Sequence, residues 1–73
     1  LKLTTVREVP FGGTVHLVRN GKPTSTAYLR GPYDRSYRTY DLDSWDDINK
    51  QVFAKGSRLV FWDTDMPLTA RGI

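Results

Sequence analysis

The residues of this chain best suited to chemistry are tyrosines and arginines concentrated in one segment. All four tyrosines and three of the seven arginines fall within residues 28–40, YLRGPYDRSYRTY. Single-strand binders combine aromatic rings, which stack on bases, with cations, which contact phosphates. The pattern therefore predicts a surface for nucleic acid, single-stranded DNA or RNA above all. Its predicted residues are Tyr28, Arg30, Tyr33, Arg35, Tyr37, Arg38 and Tyr40.

The same residue types support a second interpretation. Tyrosine and arginine are enriched at the hot spots of protein interfaces, and cross-strand pairs of such residues are common on ordinary sheet surfaces. A module that docks on another protein, through this segment or an exposed sheet edge, is therefore an open alternative.

No other combination of residues predicts catalysis or a metal site. His16, the single histidine, has no recognisable pattern of nucleophile and acid around it. Four aspartates lie in DLDSWDD, residues 41–47. However, Trp45 and Asp46 occupy the positions at which an EF-hand loop needs an oxygen ligand and a glycine. We expect no enzymatic activity, no metal and no cofactor.

Charge is distributed unevenly along the 73 residues. Residues 1–40 carry seven basic and two acidic residues, a net charge of +5, whereas residues 41–73 carry four basic and six acidic ones, a net charge of −2. Such asymmetry favours an anionic partner for the basic part. It equally fits a homo-oligomer in which the basic part of one copy packs on the acidic part of the next.

The elements that must position these residues read mainly as strands. LKLTTVREV alternates in polarity and TVHLVRN is rich in β-branched residues, so both predict strands. Asn20-Gly21 predicts a tight hairpin turn, followed by a third strand at TSTAYLR. GPYD, residues 31–34, predicts a second turn, after which RSYRTYDL runs back as a fourth strand.

After residue 43 the spacing becomes helical. Trp45, Ile48 and Val52 follow the i, i+3, i+7 pattern of a short amphipathic helix, and Gly56 is placed to end it. SRLVFWD predicts the last strand. The predicted fold is mainly β with one short helix: a five-stranded antiparallel SH3-like or OB-like barrel, because closure removes exposed edges. An open antiparallel sheet with one packed helix is the alternative.

Strand alternation divides the predicted surface. Tyr28 and Arg30 should share a face with Arg38 and Tyr40, while Tyr33 lies at the turn with Arg35. Consequently the four tyrosines do not all point the same way, and we expect at least one or two of them to be core or barrel-wall residues.

The segment from residue 28 to residue 63 resembles small uncharacterised proteins of phages and related mobile elements. The resemblance rests on Tyr-x-Arg-Gly, Tyr-x-Arg, Asp-Asp-Ile-Asn and Lys-Gly, followed by a Val-Phe strand. It implies a compact phage accessory protein that acts on DNA, on a host or viral protein, or as a structural component of the particle.

Compartment and domain limits follow from composition. The chain has no cysteine and no apolar run of the roughly 18 residues that a membrane helix needs. We expect no membrane partner and a location in the host cytoplasm or the virion. Residues 1–66 are predicted to form one small β domain, and residues 67–73 a loosely held tail.

Overall fold

The computed structural model of the protein describes residues 1–47 and 49–69. Six antiparallel strands form one sheet: β1 (Lys2–Thr5), β2 (Thr14–Arg19), β3 (Lys22–Asp34), β4 (Thr39–Ser44), β5 (Gln51–Ala54) and β6 (Leu59–Trp62). A 3₁₀ helix, Val6–Glu8, follows β1. No α-helix occurs within the described ranges, so the mainly β class is confirmed.

The strands lie in the order β1-β6-β2-β3-β4-β5. Because β1 pairs only with β6 and β5 only with β4 among the described strands, these two form the edges of an open sheet. The closed five-stranded barrel is not confirmed. Insertion of β6 between β1 and β2 places the first and last of the described strands side by side.

The 3₁₀ helix is tied to the connection between β5 and β6. The Val6 amide donates to the Arg58 carbonyl at 3.0 Å, and the Arg7 amide donates to the Gly56 carbonyl at 3.0 Å. Arg7, which follows the edge strand β1, thus contacts Gly56, which follows the other edge strand, β5. This contact helps to build the candidate site.

One apolar cluster forms the core. Its buried members are Val6, Val9, Val15, Tyr28, Leu42, Ala54 and Val60. Leu17, Tyr40, Val52 and Trp62 pack against this cluster while remaining partly exposed. The β-branched residues that favoured strands in the sequence therefore also supply much of the buried surface.

The first hairpin turn is confirmed. Arg19 pairs with Lys22, and the two residues between them, Asn20 and Gly21, have φ angles of 52° and 74°. A two-residue turn with positive φ at both positions matches the right-handed twist of the strands that it joins.

The second predicted turn is wrong. β3 continues through GPYD to Asp34, and the chain turns at residues 35–38 instead. The strand pairing shifts between Arg30 and Tyr33, and such a bulge accommodates Pro32, which has no N–H to donate. The Asp34 carboxylate fixes the later turn by accepting the amides of Ser36 at 2.8 Å and Tyr37 at 3.3 Å.

The predicted helix is also wrong. Ser44 ends β4, and its hydroxyl oxygen accepts the amides of Asp46 at 3.2 Å and Asp47 at 3.3 Å. These bonds resemble a helix cap but here close a loop, a conformation that serine side chains also favour. Val52 then pairs with Leu42 in the sheet. Ile48, the middle apolar position of the predicted helix, lies outside the described residues.

The predicted tail is described only in part. The Thr69 amide donates to the Gly12 carbonyl at 3.1 Å, and residues 70–73 lie outside the described ranges. Within those ranges the structure has no helix of sufficient length and apolarity to span a bilayer.

Candidate nucleic-acid interface

Two of the predicted tyrosines face each other across β3 and β4. Tyr33 pairs with Tyr40, and their ring centroids lie 4.9 Å apart with the planes tilted by 54°, a favourable arrangement for aromatic rings. Tyr40 packs against the core, whereas 47% of Tyr33 is exposed. Tyr33 is therefore the ring available to a ligand, and Tyr40 supports it.

Arg30 covers the supporting ring. Its guanidinium carbon lies 4.1 Å from the centroid of Tyr40, a cation–π contact. Arg30 Nη1 also donates to the Gly31 carbonyl at 3.1 Å, and Nε is buried without a hydrogen-bond partner in the described structure. One face of Tyr40 is thus occupied, so a base cannot stack there.

A cavity of about 420 Å³ opens beside Tyr33. We call it the basic groove, and its lining residues are Arg7, Tyr33, Arg38, Tyr40, Lys55, Gly56 and Ser57. Three of the seven are cations, and none of the described lining residues is a carboxylate. The charge of the lining therefore favours an anionic ligand, and an aromatic ring lies at the side of the groove.

Three separate elements supply the cations. Arg7 comes from the 3₁₀ helix, Arg38 from the turn between β3 and β4, and Lys55 from the connection between β5 and β6. A Cβ atom at Gly56 would lie 3.0 Å from Arg7 Nε and 3.1 Å from Tyr40 Cε2. A side chain at position 56 would therefore require Arg7 or Tyr40 to shift by a few tenths of an ångström.

The turn presents Arg38 in an unusual backbone conformation. Arg38 has a φ of 56°, in the left-handed region that non-glycine residues seldom adopt. The hydrogen bonds that the Ser36 and Tyr37 amides donate to the Asp34 carboxylate hold the preceding residues of the turn. Together they place a long cationic side chain at the groove, directly before β4 begins.

The structure brings together four of the seven predicted site residues and separates three. Arg30, Tyr33, Arg38 and Tyr40 line or adjoin the groove. Tyr28, which was expected to share their face, is only 8% exposed and belongs to the core cluster. Arg35 is exposed in the turn outside the groove lining, and Tyr37 lies in a different cavity.

Sequence reasoning missed Arg7 and Lys55. Neither lies near the tyrosine segment in the chain, and no local pattern marks them. Their convergence depends on the 3₁₀ helix binding the β5–β6 connection through Arg7 and Gly56. The Lys-Gly pair was visible in the sequence, but its position in space was not.

The other side of β3, β4 and β5 has the opposite charge. Asp34 and Asp41 lie on this side, and Asp43 follows two residues later on the same strand face. Burial raises the pKa of Asp41 above its ordinary value, and the nearby charges of Asp43 and Asp34 raise it further. The two sides of one hairpin thus differ in the sign of their charge.

No group of three or more His, Cys, Asp or Glu side chains in the described ranges is arranged to hold a metal ion. No protein-family model matches the chain, and comparisons with curated proteins and with solved structures return no match. The resemblance to small phage proteins therefore stays a prediction.

Proposed function

We propose that this protein binds single-stranded nucleic acid in the basic groove. The observation that carries the proposal is the convergence of three cations from separate elements on one cavity beside an exposed tyrosine. In this arrangement a base stacks on Tyr33, while Arg7, Arg38 and Lys55 contact the adjoining phosphates. Stacking of this kind contributes about 1–3 kcal/mol per base.

Tyr40 and Arg30 act as positioning residues in this proposal. Tyr40 fixes the tilt of Tyr33 through their ring contact, and it is itself fixed by the core and by Arg30. The exposed ring is thereby held in one orientation before a base arrives, which reduces the conformational entropy lost on binding.

A single strand fits the groove better than a duplex. Bases in a duplex are stacked on both faces, so a protein ring reaches them only after they are unstacked, at a cost of a few kcal/mol. Stacking and phosphate contacts are available in both DNA and RNA, and the proposal covers both. The described lining offers no histidine, cysteine or carboxylate for acid–base chemistry, so we propose binding without catalysis.

The decisive experiment compares two tyrosines on the same hairpin. Fluorescence anisotropy with a labelled single-stranded oligonucleotide measures the affinity of the wild type, Tyr33→Ala and Tyr37→Ala. Loss of the Tyr33 stack should weaken binding by about 5- to 150-fold. Tyr37→Ala is the matched control, because its ring is 77% exposed and lies outside the groove.

Two outcomes would contradict the proposal. Equal losses in both variants would mean that the groove has no special role. Affinity that does not fall with added salt would mean that phosphate contacts do not contribute, because their formation releases counterions. Salt-independent, stoichiometric binding to a protein would instead favour the docking alternative.

A further inference from the structure

The side of the sheet opposite the basic groove combines carboxylates with exposed rings. Strand pairing places Asp34 opposite Thr39 and Asp41 opposite Phe53. Alternation along β4 puts all of these on the side away from Tyr40. A cavity of about 480 Å³ is lined by Asp34, Tyr37, Thr39 and Phe53. We call these four residues, together with Asp41, the outer face.

Both aromatic rings of the outer face are open to solvent. Tyr37 is 77% exposed and Phe53 is 58% exposed. Single exposed apolar residues are common and need no explanation. Two rings that line one cavity beside carboxylates are a more specific arrangement, because an aromatic face attracts a cation and a carboxylate forms a charge-assisted hydrogen bond with it.

Hydrogen-bonding capacity remains on this side. Asp34 uses Oδ1 to accept the two amides of the turn, and neither of these bonds involves Oδ2. This second carboxylate oxygen only accepts when Asp34 is ionised, which suits a ligand that donates, such as a guanidinium or ammonium group.

Electrostatics select the sign of the ligand. Burial of Asp41, and after it repulsion from the carboxylates of Asp43 and Asp34, opposes the ionisation of Asp41 and raises its pKa. A cation bound among them relieves this repulsion, whereas a phosphate would increase it. The outer face therefore excludes the ligand proposed for the basic groove.

The neighbouring sheet edge indicates how such a cation would be delivered. β5 pairs with β4 alone in the described sheet and forms its edge. An extended peptide can add to an exposed edge through main-chain hydrogen bonds, while alternate side chains enter pockets on one face. Phe53 lies on β5 itself, so a side chain from an added strand falls beside its ring.

We propose that the outer face binds an arginine or lysine side chain of a partner protein, carried on an extended segment that pairs with β5. This site is separate from the basic groove, so the protein is able to hold a nucleic acid and a basic protein segment together. The contact surface is small, and a weak, transient association is expected.

The test uses ¹⁵N-labelled protein and two small probes that differ in charge. N-acetyl-arginine amide carries the guanidinium group, and N-acetyl-citrulline amide is its neutral isostere. Two-dimensional NMR should show shifts of the Tyr37, Thr39 and Phe53 amides with the arginine probe and much smaller ones with citrulline. Phe53→Thr, which keeps strand propensity, should weaken the arginine response about fivefold.

The variants separate this proposal from the previous one. Tyr33→Ala should leave the arginine response unchanged, because Tyr33 lies in the groove, and Phe53→Thr should leave oligonucleotide binding unchanged. Dispersed amide spectra establish that each variant is folded. Shifts centred on the groove, equal responses to both probes or no shifts at all would overturn the proposal. Outer-face shifts that depend on protein concentration without a probe would do the same, and would identify a second copy as the occupant.

Discussion

Replacement of Gly56 by alanine should weaken the basic groove more than it weakens the fold. The added methyl group would lie 3.0 Å from Arg7 Nε, 3.1 Å from Tyr40 Cε2 and 3.2 Å from Arg7 Cβ. The ring of Tyr40 is held by contacts with Tyr33 and Arg30. Because the Arg7 side chain is flexible at its end, we expect Arg7 to be the residue that moves, which shifts its guanidinium group away from its position in the groove.

Two opposing effects set the change in stability. Overpacking of a tight site costs about 1–3 kcal/mol, and alanine in place of glycine recovers about 0.4–1 kcal/mol by restricting the unfolded chain. We expect the free energy of unfolding, measured by urea denaturation, to fall by about 1 kcal/mol. Loss of one charged contact to phosphate should weaken oligonucleotide binding about tenfold in anisotropy measurements.

Gly21→Ala provides the control for Gly56→Ala. Gly21 has a φ of 74° and no atom within 4 Å of its added Cβ, so alanine there costs about 1–2 kcal/mol through backbone strain alone. Stability should fall, and affinity for the oligonucleotide should not. Unchanged affinity in Gly56→Ala, or equal losses of affinity in both variants, would refute the assignment of Arg7 to the groove.

Three further predictions concern charge and local structure. Lys55→Gln should reduce the slope of log affinity against log salt by about 0.7, whereas Lys50→Gln, which lies outside the groove lining, should leave it unchanged. The raised pKa of Asp41 means that its proton is held more tightly in the folded state, so the associated stability is present below the ordinary value of 3.8 and is lost as pH rises through the folded pKa. In urea denaturation series between pH 3 and pH 7, the free energy of unfolding of Asp41→Asn should therefore lack this fall with rising pH. A steeper fall with pH in the variant than in the wild type would contradict the prediction. Ser44→Ala removes the acceptor of two loop amides and should lower the free energy of unfolding by about 1 kcal/mol in the same assay. An unchanged free energy of unfolding would mean that other bonds hold the loop.

The sequence predicts those parts of the fold that depend on local conformation. Asn20-Gly21 specifies a turn because both residues tolerate positive φ, and no distant contact is needed to decide it. The turn after β3 was predicted at GPYD, residues 31–34, but it forms at residues 35–38. The Asp34 side chain accepts two amides beyond GPYD, and β3 therefore continues for four more residues.

Long-range pairing decided the parts that the sequence could not predict. The spacing of Trp45 and Val52 is compatible with a helix, yet Val52 gains a strand partner in Leu42. Tertiary contacts of this kind routinely override helix propensity over short segments. The groove could not be predicted from the sequence for the same reason, because Arg7 and Lys55 come together only when β6 inserts between β1 and β2.

A bulge in β3 determines which side chains reach the groove. Arg30 pairs with Leu42 and Tyr33 with Tyr40, so two residues of β3, Gly31 and Pro32, lie opposite one residue of β4, Asp41. In a regular strand, residues three apart point to opposite faces. The extra residue changes this and places Arg30 and Tyr33 on the same side, one above Tyr40 and the other beside it.

The same register keeps the two charged sides apart. If β4 slipped by one residue, every side chain on it would change face. Asp41 would then take the place of Tyr40 in the groove, among Arg7 and Lys55, and would neutralise the charge that attracts phosphate. Both proposed sites therefore depend on the strand register. The hairpin presents cations to a nucleic acid on one side and carboxylates to a basic protein segment on the other only while the side chains of β4 keep their faces.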